Sequence, residues 1–516
     1  MTQKRASAMD GGSGRGVPPV GARSWWLDEA LRADPGAPCR PPAGDQAADV
    51  CVIGGGFAGL WTAYELSERA PQLGVVLLEA DICGAGGSGA NGGFFSPSWT
   101  GLSALCGSLG ESGGVAYAAA LADMVDELDV WVARHEARID AYHEGILYAR
   151  AGAWQAGPDD ETFRLLEKHG YADRLRRVDA AEARRVADSP RFVGGVVTPD
   201  LTVIQPAKLA RELRRVLLER GVRIFEGTPT LRVEAGRPAR VVTPAGSVSA
   251  AQVVLTTGAW AARERHFRRA FAVCTDFMVV TEPIPELIEA LGWTSHMGVA
   301  DLREMLYYLR TTPDGRIAIG GGAMGIVYGG RIKGRVLTSP RLAEMAAHGL
   351  TWLFPQLEGV RFDAAWSGPM DVSSTALPFF ETAPGGTIHA GLGFSGHGLT
   401  STKLGGRILT SLVLGEDDVW SRMPVVGPPL TTVPPEPLRW PLVKSVALAY
   451  EYGDRSQERG QRRGLLPRFV TTAYGQYGAH NGAIRSERDE QGGHSSGAPP
   501  PPRRSRMIVI LHSWVS

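Results

Sequence analysis

Gly54-Gly55-Gly56-Phe57-Ala58-Gly59 has the spacing GxGxxG. With 66 glycines in the chain such a pattern arises readily by chance, so its surroundings decide its meaning. It follows the apolar run Asp49-Val50-Cys51-Val52-Ile53 and opens a helix-compatible segment from Gly59 to Ala70. Glu79 stands twenty residues beyond Gly59, at the end of a second apolar run, Val75 to Leu78. In that setting each piece has a task in holding a dinucleotide. Gly54 permits the tight turn, Gly56 lets the backbone approach a pyrophosphate, and Gly59 lets the helix pack on the sheet. The helix N-terminus offers N–H groups and the positive end of its dipole to phosphates. Glu79 can accept from two ribose hydroxyls, and its charge disfavours a 2′-phosphate.

Two more glycine-rich segments carry chemistry. Gly84-Ala85-Gly86-Gly87-Ser88-Gly89-Ala90-Asn91-Gly92-Gly93 is too poor in side chains to form core and suits close approach to a flat or charged ligand. The third, Gly391-Leu392-Gly393-Phe394-Ser395-Gly396-His397-Gly398, lies more than 300 residues from the first. It feeds a segment with helical periodicity at Leu404, Ile408 and Leu412. One dinucleotide needs a single loop for its pyrophosphate. A second helix dipole is useful where a ligand gains negative charge elsewhere, as a reduced flavin does along its N1–C2=O edge. His397, alone between glycines, reads as a residue of backbone geometry or hydrogen bonding before it reads as a proton carrier.

The elements that must position these loops are legible in outline. Strand, helix and strand within Asp49–Leu78 require parallel pairing through a right-handed crossover. Leu209, Leu213, Val216 and Leu217 form one apolar face of a helix over 207–220, stopped by Gly221, with a strand at 222–225. Gln252 to Thr256 is a further buried strand leading into Thr257-Gly258. Between about 265 and 385, short alternating segments (277–281, 305–310, 316–320) separated by turns such as Pro313-Asp314-Gly315 predict antiparallel hairpins. The fold class expected is α/β: a Rossmann-type dinucleotide domain with an inserted α+β domain on an antiparallel sheet. The cofactor domain is assigned to 24–145, 201–262 and 386–425. The inserted domain takes 146–200 and 263–385, and 426–480 is a C-terminal extension. Segments 1–23 and 481–516, rich in Gly, Ser, Arg and Pro, are expected to be disordered.

Composition excludes several classes. Lys+Arg and Asp+Glu are both 54, a formal net charge of zero, so nucleic acid is not an expected partner. Five cysteines with no CxxC spacing argue against a disulfide framework or zinc site. No metal site is expected. No apolar stretch reaches transmembrane length and no secretory signal is evident, so a cytoplasmic location is the default.

The set VCVIGGGFAGLWTAYELS, VVLLEAD, GGSGANGGF, VVLTTGAW and GLGFSGHGLTSTKLGGRIL resembles the FAD-dependent oxidoreductases of the D-amino-acid oxidase type. MVVTEPIPELIEALGW (278–293) and DLREMLYYLRTTPDGRIAIGGG (301–322) are similar to the γ-glutamylputrescine-oxidase-like branch. The resemblance covers about residues 24–465 and implies a cofactor site. Gly54, Gly56, Phe57, Ala58 and Gly59 would hold the pyrophosphate, and Glu79 with Ala80 the adenosine ribose. Ser88, Ala90, Asn91 and Gly92 would run past the ribityl chain and ring. Thr257, Gly258 and Trp260 would close over the dinucleotide, and Val233 joins the cofactor-binding positions. Gly391, Phe394, Ser395, Gly396, His397 and Gly398 would wrap the isoalloxazine. Relatives with covalent flavin use a Cys after a WxG segment or a His in the first loop. Here Trp366-Ser367-Gly368 leads to Asp371-Val372-Ser373 and the loop carries Asn91, so non-covalent FAD is expected. Ala90 stands where the branch often has Arg. Ala318 is placed where some sarcosine-type oxidases carry an oxygen-activating Lys, which leaves O2 or another acceptor open.

The activity this implies is oxidation of a C–N bond in a small amine or amino acid. The nitrogen must be neutral before hydride leaves its α-carbon for flavin N5; the imine then hydrolyses. The cofactor carries the chemistry, so no acid–base residue is required. Candidate pocket residues are Tyr307, Tyr308, Arg310 and Trp366. Tyr308 could hold an amine by cation–π contact and Arg310 a carboxylate bidentately. Alternatives are an FAD-dependent tailoring dehydrogenase acting on a larger biosynthetic intermediate, a NAD-dependent dehydrogenase, and a cofactor-free scaffold. The third glycine-rich segment argues against NAD, and the intact first motif against a scaffold.

Overall fold

The computed structural model describes residues 16–461 apart from 428 and 430. Val50 to Ile53 and Val75 to Leu78 are buried on both faces, as strands inside a parallel sheet must be. Five strands run parallel in the order Arg223–Phe225, Val75–Leu78, Gln46–Ile53, Gly246–Leu255, Ile388–Leu392, and Phe379–Thr382 closes the edge antiparallel. A side hairpin, Arg232–Glu234 with Ala239–Thr243, hangs from Gly246–Leu255.

The helix Phe57–Arg69 lies against Gly398–Leu414 so closely that a Cβ on Gly406 would meet the Trp61 backbone at 2.8 Å. That crossing brings the first and third glycine-rich loops to one end of the sheet. The helix Pro206–Glu219 packs beside Phe57–Arg69 through the apolar face expected of it.

The second sheet has nine strands. Its order is Gly325–Ile326, Phe271–Thr281, Ile317–Gly321, Tyr307–Thr311, Gly298–Asp301, Ile146–Ala149, Gly195–Thr198, Arg176–Val178, with Phe362–Ser373 also on Phe271–Thr281. All pairs are antiparallel except Gly298–Asp301 with Ile146–Ala149, a parallel pair between segments far apart in sequence.

The expected disorder of 1–23 fails over 16–23. Gly21 N–H donates to the Ala365 carbonyl at 2.7 Å, and Val17 and Val20 pack on the second domain's core. Two valines spaced by three are enough to dock a glycine-rich segment that composition alone marks as loose. Residues 1–15 and 481–516 lie outside the described residues. The assigned extension holds a helix, Arg439–Glu458. Its Asp454 accepts from Met305 N–H at 2.9 Å, and Glu458 pairs with Arg303. Among the described residues no helix is long and apolar enough to cross a membrane.

Candidate active site

A cavity of about 320 Å³ opens between the two sheets. Gly56, Phe57 and Ala58 line it from the first loop; Gly87, Ser88, Ala90, Asn91 and Gly92 line it from the second. Phe394, Gly396, His397 and Gly398 line it from the third, and Thr257, Gly258 and Trp260 from the segment after Gly246–Leu255. The opposite wall is the second sheet: Asp276 and Met278, Tyr308, Ile146 and Tyr148.

The loops are held by a few specific contacts. Gly54 sits at φ +113°, a conformation side chains oppose, and its N–H donates to the Leu78 carbonyl at 2.8 Å. A Cβ on Gly59 would overlap the Gly54 carbonyl oxygen, so the helix start abuts the turn that precedes it. Ser88 Oγ accepts from Phe57 N–H at 2.9 Å, tying the second loop to the first helix. Asn91 braces its own loop: Nδ2 donates to the Ser88 carbonyl at 2.7 Å and Oδ1 accepts from Gly93 N–H at 2.8 Å. In the third loop, Asp371 Oδ2 accepts from Gly393 N–H at 2.6 Å, and burial pushes this carboxyl up to about 6. Ser395, at φ +55°, accepts from Ser373 N–H at 3.0 Å.

Several expected site residues stand behind the lining. Glu79 accepts from Gly55 N–H at 2.7 Å and Asp81 N–H at 2.8 Å, so its carboxylate shapes the loop it was expected to flank; burial nonetheless pushes its pKa up. Ala80 beside it is exposed. Gly391 faces Leu409 and Phe380, and Val233 lies in the side hairpin; neither lines the cavity.

Three of the four pocket candidates are displaced as well. Trp366 is fully buried and its indole N–H donates to the Ala90 carbonyl at 2.9 Å, so it secures the second loop from the neighbouring sheet. Tyr307 is buried under Arg303, whose guanidinium lies 4.2 Å from the ring centroid. Strand alternation explains this: adjacent Tyr307 and Tyr308 point to opposite faces, and only Tyr308 meets the cavity. Arg310 is 1% exposed, donates to the Ile204 carbonyl, and lies over Trp26 at 5.2 Å; it does not line the cavity, and burial pulls it down to about 10. Ala318 packs with Trp26, Met278 and Trp366 in the core and does not itself line the cavity, although its neighbour Met278 does.

Asp276, Met278, Tyr148, Asp371 and Thr400 line the cavity and were not anticipated. Asp276 did carry a signal: it is the one charge in the strand Phe271–Thr281, FAVCTDFMVVT, which is otherwise almost wholly buried.

Fold and cavity together define an α/β protein of two large sheets in which glycine-rich loops at the end of one sheet line a cavity that the other closes. The family model for FAD-dependent oxidoreductases of the DAO type matches residues 49–412, and the chain belongs to this family. It is similar to gamma-glutamylputrescine oxidoreductase of Escherichia coli (strain K12), 30% identical over 376 residues, 71% of this chain and 84% of that protein. Among solved structures it resembles glycine oxidase from Geobacillus kaustophilus (TM-score 0.58, 20% identity, 72% of this chain and 96% of that one). It also resembles L-amino acid deaminase from Proteus vulgaris (TM-score 0.59, 16% identity, 76% and 98%). Both structural likenesses are of fold.

The residues present fit FAD. Glycines from all three loops, Gly56, Gly87, Gly92, Gly396 and Gly398, line the cavity, and a Cβ added at Gly56 would press on Ser88 Oγ at 2.9 Å. At the start of the third loop's helix, Thr400 is 3% exposed and its hydroxyl has no partner among the described residues, which suits a ligand acceptor.

Proposed function

We propose that the protein oxidises a C–N bond of an amine or amino acid bound against non-covalent FAD in this cavity. The observation that carries the reading is the convergence of three glycine-rich segments, the outer two more than 300 residues apart, on one cavity closed by a second sheet. Bound FAD would supply the two-electron acceptor. The chain's part is to bind, orient and dry the site. The N-terminus of Phe57–Arg69 would hold the pyrophosphate, and that of Gly398–Leu414 would favour negative charge at the ring. Met278, Ile146, Leu302 and Phe94 give the substrate side an apolar lining that excludes water. No cysteine lines the cavity, which supports a cofactor held without a covalent bond.

Purified protein should be yellow and should release all its flavin to the supernatant on acid precipitation. A panel of amines, D-amino acids and N-methyl amino acids, scored by anaerobic bleaching, should identify reactive donors without reference to the acceptor. A folded preparation that stays colourless with added FAD would refute the reading. Colour left in the precipitate would overturn its non-covalent part.

A further inference from the structure

The charge of the cavity wall narrows the substrate class, granted that this cavity is the active site. Its carboxylates are three aspartates, Asp276, Asp301 and Asp371, and His397 is its one imidazole; among the described residues no lysine or arginine lines it. Two of the aspartates are committed elsewhere. Asp301 pairs with Arg303 and accepts from Tyr307 N–H at 2.8 Å, and Asp371 holds the third glycine-rich loop through Gly393.

Asp276 is different. Its Oδ2 accepts from the Tyr308 hydroxyl at 2.5 Å and its Oδ1 from Phe277 N–H at 2.8 Å. Among the described residues it makes no ion pair. Its cross-strand neighbour is Gly368, which puts no side chain beside it. The backbone N–H of Gly321 is a third donor to it; a carboxylate accepts up to about four hydrogen bonds, so capacity for one more remains for a ligand in the cavity. Carboxylate, phenol and the rings of Tyr148 and Phe94 make a wall for a cation, and a wall against an anion.

We propose that Asp276, oriented by Tyr308, receives the substrate's cationic nitrogen, and that the substrate is a primary or secondary amine with no carboxylate on the reacting carbon. An α-amino acid would bring a carboxylate into a cavity that three aspartates line and where, among the described residues, no lysine or arginine stands to pair with it. An alkylammonium ion forms a net-neutral pair with Asp276. That pair can pass one proton from nitrogen to carboxylate oxygen: R–CH2–NH3⁺ with Asp276 COO⁻ becomes R–CH2–NH2 with Asp276 COOH. No electron moves in this step, and it leaves the neutral nitrogen that oxidation needs. Removal of water favours the uncharged form of the pair. Burial, which pushes Asp276 up to about 6, narrows the gap in basicity.

The test uses holoenzyme and probes without α-hydrogen, which bind but cannot react. These are tert-butylamine and tert-amylamine, against α-aminoisobutyrate, followed by perturbation of the flavin spectrum. Wild type should bind the amines about tenfold or more tightly than the amino acid. Asp276→Asn, near-isosteric, should keep FAD and lose that preference. Tyr308→Phe serves if Asp276→Asn does not fold. Amine binding should rise as pH rises through about 6 in wild type, because Asp276 becomes charged there. Loss of the phenol donor should move that limb to higher pH. The other titratable groups facing the cavity, Tyr148, Asp301, Asp371 and His397, are unchanged in both variants. Equal or tighter binding of the amino acid, or an unchanged amine preference in Asp276→Asn, would overturn the assignment. So would an unmoved limb in Tyr308→Phe. A yellow protein with these outcomes leaves the flavin reading intact, whereas a colourless one strikes that reading instead.

Discussion

On one side of the cavity the chain offers backbone: Gly56, Gly87, Gly92, Gly396 and Gly398, braced by Ser88 and Asn91. On the other it offers side chains: Asp276, Met278, Tyr308, Tyr148 and Ile146, from three strands of a different sheet. A cofactor common to a family is recognised through main-chain shape and helix termini, which tolerate no added atoms. A substrate particular to one protein is recognised by side chains, which can be exchanged while the scaffold stays. The two walls are joined by the hydrogen bond from the Trp366 indole to the Ala90 carbonyl, and by those of Asp371 and Ser373 with the third loop at Gly393 and Ser395.

This contrast can be broken by adding a single carbon. Gly59→Ala would drive a methyl group into the Gly54 carbonyl, a backbone clash no rotamer relieves, and should cost about 3 kcal/mol or more and abolish flavin retention. A yellow, stable Gly59→Ala protein would show that the first wall is not closed to added atoms. Gly56→Asp should fold more readily yet lose FAD, because its carboxylate would displace Ser88 and oppose the pyrophosphate; full flavin occupancy would refute the placement.

Trp366→Phe probes the joint between the walls. It removes the N–H donor from a buried carbonyl and should lower stability by about 1–3 kcal/mol, with weaker FAD retention, measured by thermal melting with and without added cofactor. The smallest effect belongs to the substrate wall. Tyr148→Phe removes a hydroxyl that hydrogen-bonds Ser96 and Thr100, and should cost about 0.5–1.5 kcal/mol while flavin occupancy stays full. Flavin loss there would blur the division between the walls.

The cofactor wall was legible because its signals are local. The turn at Gly54, the N-terminus at Phe57 and the helix that begins at Gly398 each rest on a few consecutive residues, whose conformational limits are the same in any fold. The substrate wall was legible only in part. Of the expected pocket residues Tyr308 lines the cavity and its neighbour Tyr307 does not, since strand type says that sides alternate but not which side faces the cavity; Arg310, on the same face as Tyr308, is instead engaged by Ile204 and Trp26. The helix Glu111–His135 has a weak periodic signature in the sequence, although Tyr117, Leu121, Met124, Val125 and Leu128 share its buried face. Its alanines and glycines dilute the apolar stripe.

By itself, then, the sequence determined the glycine turn at Gly54, the parallel strand–helix–strand unit and the second helix N-terminus, because sterics and hydrogen bonding within a short segment allow little else. Which carboxylates reach the cavity, that Arg310 and Trp366 stay behind it, and that Ile146–Ala149 pairs in parallel with Gly298–Asp301 were decided by tertiary structure alone. Those outcomes depend on register and on contacts between segments more than a hundred residues apart, where pairing across the whole core, and not local preference, sets which atoms face the ligand.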